Sequence, residues 1–461
     1  MHNLSIFGTS SDAGKSVITA LLAKALQKRG FKTAPFKAQN VSNNARVCED
    51  GSEIGVAQYF QADLLGIEKS YRLNPILLKS GSKGKVTLIL EGKSKGEISF
   101  KEYLKMMDTL KPIIKRSFED LKRDFDIIVS EGAGSPVELN LMHKDLSNIF
   151  MARTFNNKII LVADIERGGV FASIWGVYNL LPKDLQKNLI GVVINKFRGD
   201  ISFFKEGERI IQEEFKIPVL GVLPYYNFNL FYEDSQSLIN YSQNKSPKIR
   251  VGIIKLKHLS NFTDFEPLIA DREIEVSFCL DNFDYFDVLI IPGSKLTIED
   301  LKELKKNGVF KKLQEYKKPI FGICGGFEMM FENLIDKESV ESDGFEKEKG
   351  FGFIKDNIIF TKDKITKNQT YKIFGFEIKG YEIRNGKSEK DILYYQNRNV
   401  WGTFVHSVFD NDEFRNTFFK NINPFYEGFD FKRYKEKKIE NFLNIFEQHI
   451  DIDKIIRCLQ K

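Results

Sequence analysis

The sequence has 461 residues, of which 42% are hydrophobic and 29% are charged. These proportions exclude a chain that is disordered over most of its length, and the length predicts two or three domains at roughly 150 residues each. The net charge of +6 suits a small anionic ligand but is too diffuse to indicate a nucleic-acid partner. No apolar run is long enough to cross a bilayer, so we expect no membrane span.

The four cysteines, Cys48, Cys279, Cys324 and Cys458, form no CxxC pair and lie near no histidine at metal-ligand spacing. The sequence therefore predicts neither a disulfide framework nor a zinc site. We recognise no signal peptide, because the strand-like segment Leu4–Phe7 runs directly into a glycine-containing loop. These features predict a cytoplasmic protein.

Apolar segments alternate with amphipathic helices over the first 230 residues. The apolar segments are continuous rather than alternating, which is typical of parallel strands buried on both faces. A helix is predicted over 14–29, because its apolar side chains share one face and Gly30 follows. The predicted strands are Leu4–Phe7, Thr33–Phe36, Asp126–Ser130, Lys158–Ala163, Leu189–Ile194 and Pro218–Leu223.

The polar segment 233–248 is rich in Ser, Asn and Gln, and we predict that it links two domains, 1–232 and 249–411. A helical extension is expected at 412–461, and a surface loop at 336–350. Helices are predicted at Thr297–Lys306 and Gly325–Leu334. The strands of the second domain are predicted at Ile249–Ile254, Ile274–Cys279, Val288–Ile291 and Pro319–Ile323. The fold class is therefore α/β, with two domains and a doubly wound, mostly parallel sheet in the first.

The loop between the first strand and the first helix reads GTSSDAGKS, residues 8–16. Such a loop suits a nucleotide phosphate, because glycines let backbone N–H groups approach, the helix N-terminus faces the anion, and a lysine and a hydroxyl follow. The spacing is a variant, since Thr9 stands where the first glycine is usual. We predict an ATP site with contacts from Gly8, Thr9, Asp12, Ala13, Gly14, Lys15, Ser16 and Lys37.

Further polar residues follow other strands and converge on the same sheet edge, where open α/β sheets bind ligands. Glu131 ends a buried strand and is a candidate magnesium ligand together with Ser16. Asp164 and Arg167 follow the next strand along the chain.

The second domain carries a strand, a cysteine and two glycines in GICGG, residues 322–326. This pattern predicts a nucleophile on a sharp turn, with a helix N-terminus that activates the thiol of Cys324. A thiol nucleophile needs a base, and His406 has the best setting among the five histidines because it follows a strand-like segment. Backbone N–H groups of Gly293, Ser294 and Gly325 are candidate donors to an oxyanion.

Together these residues resemble the cobyric acid synthase family over nearly the whole chain. The matching segments are GTSSDAGKS, PFKAQN, DGSEIGVAQ, LNPILLK, EGAGSP, ADIERGGVFAS, NKFRGD, PGSK, GICGG, GYEI and GTFVHSVFD. The first half is also similar to dethiobiotin synthetase, and the second half to class I glutamine amidotransferases.

The resemblance implies ATP, Mg²⁺ and glutamine as reactants, with no tightly bound organic cofactor. It implies a corrinoid partner, adenosylcobyrinic acid a,c-diamide, whose b, d, e and g carboxylates are activated as acyl phosphates and amidated. It adds Glu53 to Ser16 and Glu131 as magnesium ligands. The candidate residues for substrate binding are Gln39, Asn40, Asp164, Arg167 and Arg198.

Class I amidotransferases usually carry a glutamate two residues after the histidine, where this chain has Val408. We therefore expect a Cys–His dyad in which no obvious carboxylate orients His406. The family usually has Gln at Glu328 and His at Arg384, and an ionised Glu328 near Cys324 disfavours the thiolate.

Two alternatives are open at this point. A cobyrinic acid a,c-diamide synthase has the same chemistry and architecture but amidates positions a and c. The other alternative is a P-loop nucleotide switch of the partitioning-ATPase type with an inactive second half. Such switches often carry an additional lysine early in the loop, and positions 9–13 have none. The sequence leaves the oligomeric state open.

Overall fold

The computed structural model describes residues 1–80, 84–227, 246–342 and 344–461. Most of the predicted linker at 233–248 lies outside these residues. Two α/β domains are built on separate parallel sheets, as predicted.

The strands of the first domain are β1 (Leu4–Gly8), β2 (Thr33–Phe36), β3 (Gln39–Val41), β4 (Ala45–Val47), β5 (Glu53–Gly55), β6 (Ile76–Ser80), β7 (Lys85–Leu90), β8 (Lys93–Ser99), β9 (Ile127–Glu131), β10 (Lys158–Asp164), β11 (Leu189–Phe197) and β12 (Val219–Pro224). Its helices are α1 (Lys15–Lys28), α2 (Val56–Leu65), α3 (Phe100–Lys105), α4 (Met107–Asp124), α5 (Ile149–Thr154), α6 (Val170–Leu180), α7 (Lys183–Gln186) and α8 (Lys205–Glu213).

The main sheet of this domain has the strand order β12-β11-β10-β1-β9-β2, and every pairing in it is parallel. Consecutive side chains of β10 show why its apolar run is continuous. Ile160 and Val162 pack with α1 on one face, whereas Ile159 and Leu161 pack with α6 on the other. Smaller sheets, β3-β6-β7-β8 and β4-β5, lie outside the main sheet. The six predicted strands are confirmed: β2 has the predicted ends, and the other five differ by one to three residues at one or both ends.

The second domain contains β13 (Ile249–Ile254), β14 (Ile274–Cys279), β15 (Val288–Ile291), β16 (Ile320–Ile323), β17 (Phe331–Asp336), β18 (Glu346–Lys349), β19 (Ile354–Ile373), β20 (Phe376–Ser388), β21 (Tyr394–Asn397) and β22 (Val400–Thr403). Its helices are α9 (Glu266–Ala270), α10 (Thr297–Lys306), α11 (Val309–Glu315), α12 (Gly325–Glu328) and α13 (Asp412–Ile422). The main sheet runs β14-β13-β15-β16-β22-β21, and only the pairing of β21 in it is antiparallel.

Two expectations for this domain are wrong. The helix predicted to reach Leu334 ends at Glu328, and the apolar residues after it form strand β17. A short apolar run does not distinguish a helix from a strand, and here pairing with β19 decides. The region 336–350 is not only a loop, because β18 pairs with β17 within it.

The C-terminal segment is helical, as predicted, but it is divided between the domains. Helix α13 packs into the core of the second domain. Helices α14 (Phe431–His449) and α15 (Ile452–Gln460) return to the first domain and pack beside α1. Glu447 of α14 forms ion pairs with Lys28 and Arg29 at 2.8 Å each.

The long hairpin β19–β20 of the second domain reaches the first domain. Asn368 donates a hydrogen bond to the carbonyl of Val47 at 2.7 Å. Arg46 donates to Ser407 Oγ at 2.8 Å and to Asp410 at 3.0 Å.

Within the described ranges, none of the helices has the length and apolar character needed to span a bilayer.

Candidate active site

The phosphate loop leaves the end of β1 and leads into α1, as the sequence predicts. Gly14 is the N-cap of α1 and has φ 98°, a left-handed conformation that favours glycine. A Cβ at Gly14 would lie 2.3 Å from the amide nitrogen of Asn195, which itself donates to the carbonyl of Ala13 at 2.8 Å. Lys15 Nζ donates to the carbonyls of Ser10 and Ser11 at 2.9 and 3.1 Å. The backbone and the lysine together form a cradle for an anion.

Glu131 lies at the centre of this cradle. Its carboxylate accepts hydrogen bonds from Ser16 Oγ at 2.7 Å, from Lys37 Nζ at 2.9 Å and from Gln61 Nε2 at 3.1 Å. A buried carboxylate beside a hydroxyl at a helix N-terminus is a donor set that fits Mg²⁺, which takes one or two carboxylates and completes its shell with phosphates and water. The sequence analysis missed Gln61, because α2 carries no phosphate-binding pattern.

A cavity of about 1170 Å³ opens above these groups, and we call it the nucleotide cavity. Asn40, a candidate for substrate binding, lines this cavity. Gln39 faces away from it and accepts a hydrogen bond from Tyr103 at 2.6 Å. The other residues that line the nucleotide cavity include Ser11, Asp12, Lys15, Ser16, Lys37, Ser42, Ser80, Glu131, Gly134, Leu259 and Phe262.

Three further candidates for substrate binding lie around the outer side of the loop. Arg167 forms an ion pair with Asp12 at 2.8 Å, and Asp164 forms one with Lys196 at 2.9 Å. Arg198 pairs with Glu166 and stacks on Tyr225 at 3.5 Å. Lys196 Nζ also donates to the carbonyl of Asp12 at 2.7 Å. These residues therefore border the loop but do not line the nucleotide cavity.

The structure contradicts the expectation that Glu53 belongs to the magnesium site. Its carboxylate is buried between Lys79 and Lys364, with both N–O distances at 2.5 Å. Burial would raise the pKa of Glu53, but Lys364 and Lys79 outweigh burial and lower it to about 2. The physical reason for the error is that both oxygens of Glu53 serve as counter-charges at the domain boundary.

Cys324 stands at the sharp turn between β16 and α12. Its φ of 49° and ψ of −109° are rarely adopted by a residue with a side chain, and such strain is typical of a nucleophile elbow. Gly326 permits the turn, because a Cβ there would lie 2.0 Å from the carbonyl oxygen of Ile291. The Cys324 side chain is mostly buried, and its thiol donates to the carbonyl of Ile383 at 3.8 Å. It is also close enough to His406 to raise the pKa of that imidazole.

The expectation that His406 lacks an orienting carboxylate is wrong. His406 Nδ1 lies 2.7 Å from Asp264 Oδ2, and the other oxygen of Asp264 accepts the backbone N–H of Ser407 at 2.7 Å. Burial alone would lower the pKa of His406, but the charges of Asp264 and Cys324 outweigh it and raise the pKa to about 10. The three side chains therefore form a triad rather than a dyad.

The other ring nitrogen of His406 faces Asn261. The amide nitrogen of Asn261 lies 3.2 Å from Nε2, and its amide oxygen accepts the backbone N–H of Ala45 at 3.2 Å. Asn44 in turn accepts the N–H of Phe262 at 3.2 Å. The first domain thus holds the segment that contacts the base of the second domain.

The candidate oxyanion donors lie beside the cysteine. The backbone nitrogen of Ser294 lies 2.7 Å from the position that a Cβ would take at Gly325. Gly293 lies near the base, since a Cβ there would lie 3.3 Å from His406 Cε1. Of these positions, Ser294 lines the same cavity as Cys324.

Glu328 lies one helical turn after Cys324, and Thr297 Oγ1 donates to it at 2.9 Å. Burial is the main reason that the pKa of Glu328 is raised to about 7, and Thr297 and Arg384 oppose the shift. Glu341 contacts the same threonine, and its pKa is raised by burial and by Glu328. Cys324 and both carboxyl groups line a second cavity of about 470 Å³, which we call the cysteine cavity.

A thin wall of polypeptide separates the two cavities, and we call it the partition: residues 259–262 together with Lys79 and Ser80. Leu259, Phe262 and Ser80 face the nucleotide cavity. Ser260, Asn261 and Lys79 face the cysteine cavity. Neighbouring residues of the same segments thus border a phosphate site on one side and a nucleophile on the other.

Comparisons with known proteins divide the chain into the same two domains. Residues 4–232 match the model of the CobQ/CobB/MinD/ParA nucleotide binding domain, and residues 250–414 match that of the CobB/CobQ-like glutamine amidotransferase domain. A cobyric acid synthase from Acinetobacter baylyi is 54% identical over the full length of both chains. The chain belongs to the cobyric acid synthase family.

Two further relatives of the same name match over nearly the whole of both chains. The cobyric acid synthase of Clostridium botulinum is 38% identical over 98% of both chains, and that of Clostridium tetani is 35% identical over 100% of this chain and 99% of its own. As a member of the cobyric acid synthase family, the chain is an ATP-dependent, glutamine-hydrolysing ligase.

Proposed function

We propose that this enzyme converts adenosylcobyrinic acid a,c-diamide into cobyric acid by amidating its b, d, e and g carboxylates, with ATP and glutamine as co-substrates. The observation that carries the proposal is the partition, which puts a thiol nucleophile and a phosphate cradle back to back. The triad around Cys324 also argues against the alternative of an inactive second domain. Full-length relatives named cobyric acid synthase favour this activity over a,c-diamide synthesis.

The chemistry in the first domain begins with a carboxylate, which is a poor electrophile. Transfer of the terminal phosphoryl group of ATP to a carboxylate oxygen gives an acyl phosphate and ADP. Lys15 and Lys37 neutralise charge on the phosphates, and the backbone N–H groups of the loop hold them in place. Ser16 and Glu131 would hold Mg²⁺, which stabilises the charge that develops on the phosphate oxygens.

Glutamine is hydrolysed in the second domain. The thiol of Cys324 gives its proton to His406 and attacks the side-chain amide, while backbone N–H groups of Gly293, Ser294 and Gly325 stabilise the oxyanion. His406 then gives that proton to the nitrogen as the C–N bond breaks, which leaves a thioester and ammonia. Water then attacks the thioester and releases glutamate. Asp264 keeps the imidazole in the orientation that both proton transfers need.

Ammonia must reach the acyl phosphate without entering bulk water, where it is protonated near neutral pH. We propose that it crosses the partition beside Ser260 and Asn261. Its attack on the acyl carbon forms the amide and releases phosphate.

We propose that the enzyme works in the cytoplasm, which suits its four free cysteines because thiols are kept reduced there.

The test incubates the enzyme with ATP, Mg²⁺, adenosylcobyrinic acid a,c-diamide and either glutamine or ammonium, followed by mass analysis of the corrinoid. The wild type should gain four amides with either nitrogen source. The variant Cys324→Ala should gain them with ammonium alone. ATP turnover with no change in corrinoid mass would refute the proposed substrate.

A further inference from the structure

An apolar groove lies beside the nucleotide cavity and has no role in the chemistry described so far. Its walls are formed by α3, the start of α4 and the segment 133–147. The volume is about 670 Å³, and the apolar lining residues are Phe100, Tyr103, Leu104, Met107, Pro136, Leu141, Met142 and Leu146. Phe100 and Leu141 remain 49% and 44% exposed, although side chains of this kind are usually covered.

The groove is continuous with the nucleotide cavity. Ala133 lines both spaces; its neighbour Gly134 lines the nucleotide cavity, and Ser135 lines the groove. In strand β3, Gln39 lines the groove and Asn40 lines the nucleotide cavity. Val41, the next residue, is an exposed apolar side chain at the edge of that cavity. A molecule held in the groove therefore has its edge at the phosphates.

We infer that this groove binds an apolar face of the corrin macrocycle and presents a peripheral carboxylate to the terminal phosphate of ATP. This inference rests on the proposed function. One phosphate site must serve four carboxylates around one ring, so the ring has to bind in several orientations. Apolar side chains can contact the hydrocarbon surface of the ring in every orientation. They form no directional hydrogen bonds, so they do not select one orientation.

The groove has few charged residues in its lining. The charged residues that line the groove are Lys144, Glu138 and Asp145, so the lining does not offer a cluster of cations for ion pairs with carboxylates. The hydroxyl of Tyr103 donates to Gln39, and its ring forms part of the wall. Carboxylates and amides around the corrin would lie at the rim of the groove, while methylated carbon faces the apolar walls. We expect binding to be governed by burial of apolar area rather than by ion pairing.

The experiment compares the wild type with Phe100→Ser, Leu141→Ser and the double variant. The control is Phe425→Ser, whose side chain is 81% exposed on the second domain. Equilibrium dialysis, read by corrin absorbance, measures binding of adenosylcobyrinic acid a,c-diamide, and separate assays measure ATP binding and glutamine hydrolysis. The double variant should bind the corrinoid roughly tenfold more weakly or worse. ATP binding and the control should not change.

A second readout separates binding from folding. If the ring rebinds in the groove between rounds, the double variant should release corrinoids with one, two or three amides, whereas a fold defect would lower total turnover without changing that distribution. Unchanged affinity and an unchanged distribution in the double variant would overturn the inference. So would a change in sedimentation alone, because the groove would then be covered by a second copy of the chain. Failure of the wild type to bind or amidate the corrinoid would instead count against the proposed function.

Discussion

Asp264 accepts a hydrogen bond from Nδ1 of His406 at 2.7 Å, although 142 residues separate them in the sequence. Asp264 lies just before α9, in a segment that also carries Asn261. The carboxylate fixes the tautomer of the imidazole and directs Nε2 towards Cys324. This contact takes the place of the glutamate that is absent at Val408.

Replacement of Asp264 by Asn should lower glutamine hydrolysis by roughly 10²-fold, which is the usual scale of one positioned proton-transfer group. The acidic charge is the main influence that raises the pKa of His406 against burial, so its loss should move the alkaline limb of the rate–pH profile downward from about pH 10. A profile of glutamate release between pH 6 and about 11 measures both effects.

Ammonium-dependent amidation supplies the control for this variant, because it bypasses Cys324 and His406. It should keep the wild-type rate. Loss of the ammonium-dependent reaction would indicate that Asp264 serves the fold, and an unmoved alkaline limb would contradict its role in positioning His406.

Asn261 joins the base of one domain to the backbone of the other. Its amide nitrogen lies 3.2 Å from Nε2 of His406, where it favours the neutral imidazole and so opposes the imidazolium that Asp264 and Cys324 stabilise. Replacement of Asn261 by Ala should therefore raise basal glutamine hydrolysis about three- to tenfold, the equivalent of one hydrogen bond. Stimulation of hydrolysis by ATP and corrinoid should decrease. Glutamate release with and without ATP and corrinoid measures both the basal rate and its stimulation. The control is Asn307→Ala, at an exposed position. A basal rate below that of the wild type would contradict the proposal that Asn261 opposes protonation of His406.

Glu328 gives glutamine hydrolysis a pH dependence near neutrality. Its pKa of about 7 means that the carboxyl is neutral below that pH and ionised above it. An ionised Glu328 disfavours the thiolate and the oxyanion nearby, so the wild-type rate should fall as pH rises through about 7. The variant Glu328→Gln should lack this step and exceed the wild type by up to about tenfold at pH 8. The control Glu413→Gln, at an exposed position, should show the same fall in rate near pH 7 as the wild type. If Glu328→Gln still shows that fall, the group that titrates is not Glu328.

The parts of the site that sequence predicts are local. The phosphate loop and the cysteine elbow each follow one strand directly, so their geometry is contained in a short segment. Asp264 could not be found in this way, because nothing in HLSNFTDFE marks the carboxylate that folds against His406. Glu53 shows the reverse error: its segment matches the family, but the match does not say which neighbours the side chain acquires. The second lysine at Glu53 comes from β19, which is 311 residues away.

The magnesium site can be tested by replacing Glu131 with Gln. This change removes the anionic oxygen that Ser16 and Lys37 contact, while the shape of the side chain is kept. Amidation with either nitrogen source should fall by roughly 10²-fold or more, since charge stabilisation in a water-excluded site usually contributes more to catalysis than any other single effect. The concentration of Mg²⁺ needed for half-maximal rate should increase. Basal glutamine hydrolysis is the internal control, and an unchanged Mg²⁺ requirement would exclude Glu131 as a ligand.

Glu53→Gln should leave the Mg²⁺ requirement unchanged and should instead destabilise the protein. Glu53 is buried between Lys79 of its own domain and Lys364 of the other, and burial lowers the pKa of Lys79 to about 8 even with Glu53 as its counter-charge. Breaking such a pair leaves the buried Lys79 and the half-buried Lys364 without their counter-charge, which costs about 3–5 kcal/mol. Denaturant unfolding at pH 7 measures this. The double variant Glu53→Gln, Lys364→Met should recover part of the loss because it removes one unpaired charge. If the double variant is as unstable as the sum of both single variants, the two residues are not coupled across the boundary, and another contact holds the domains together.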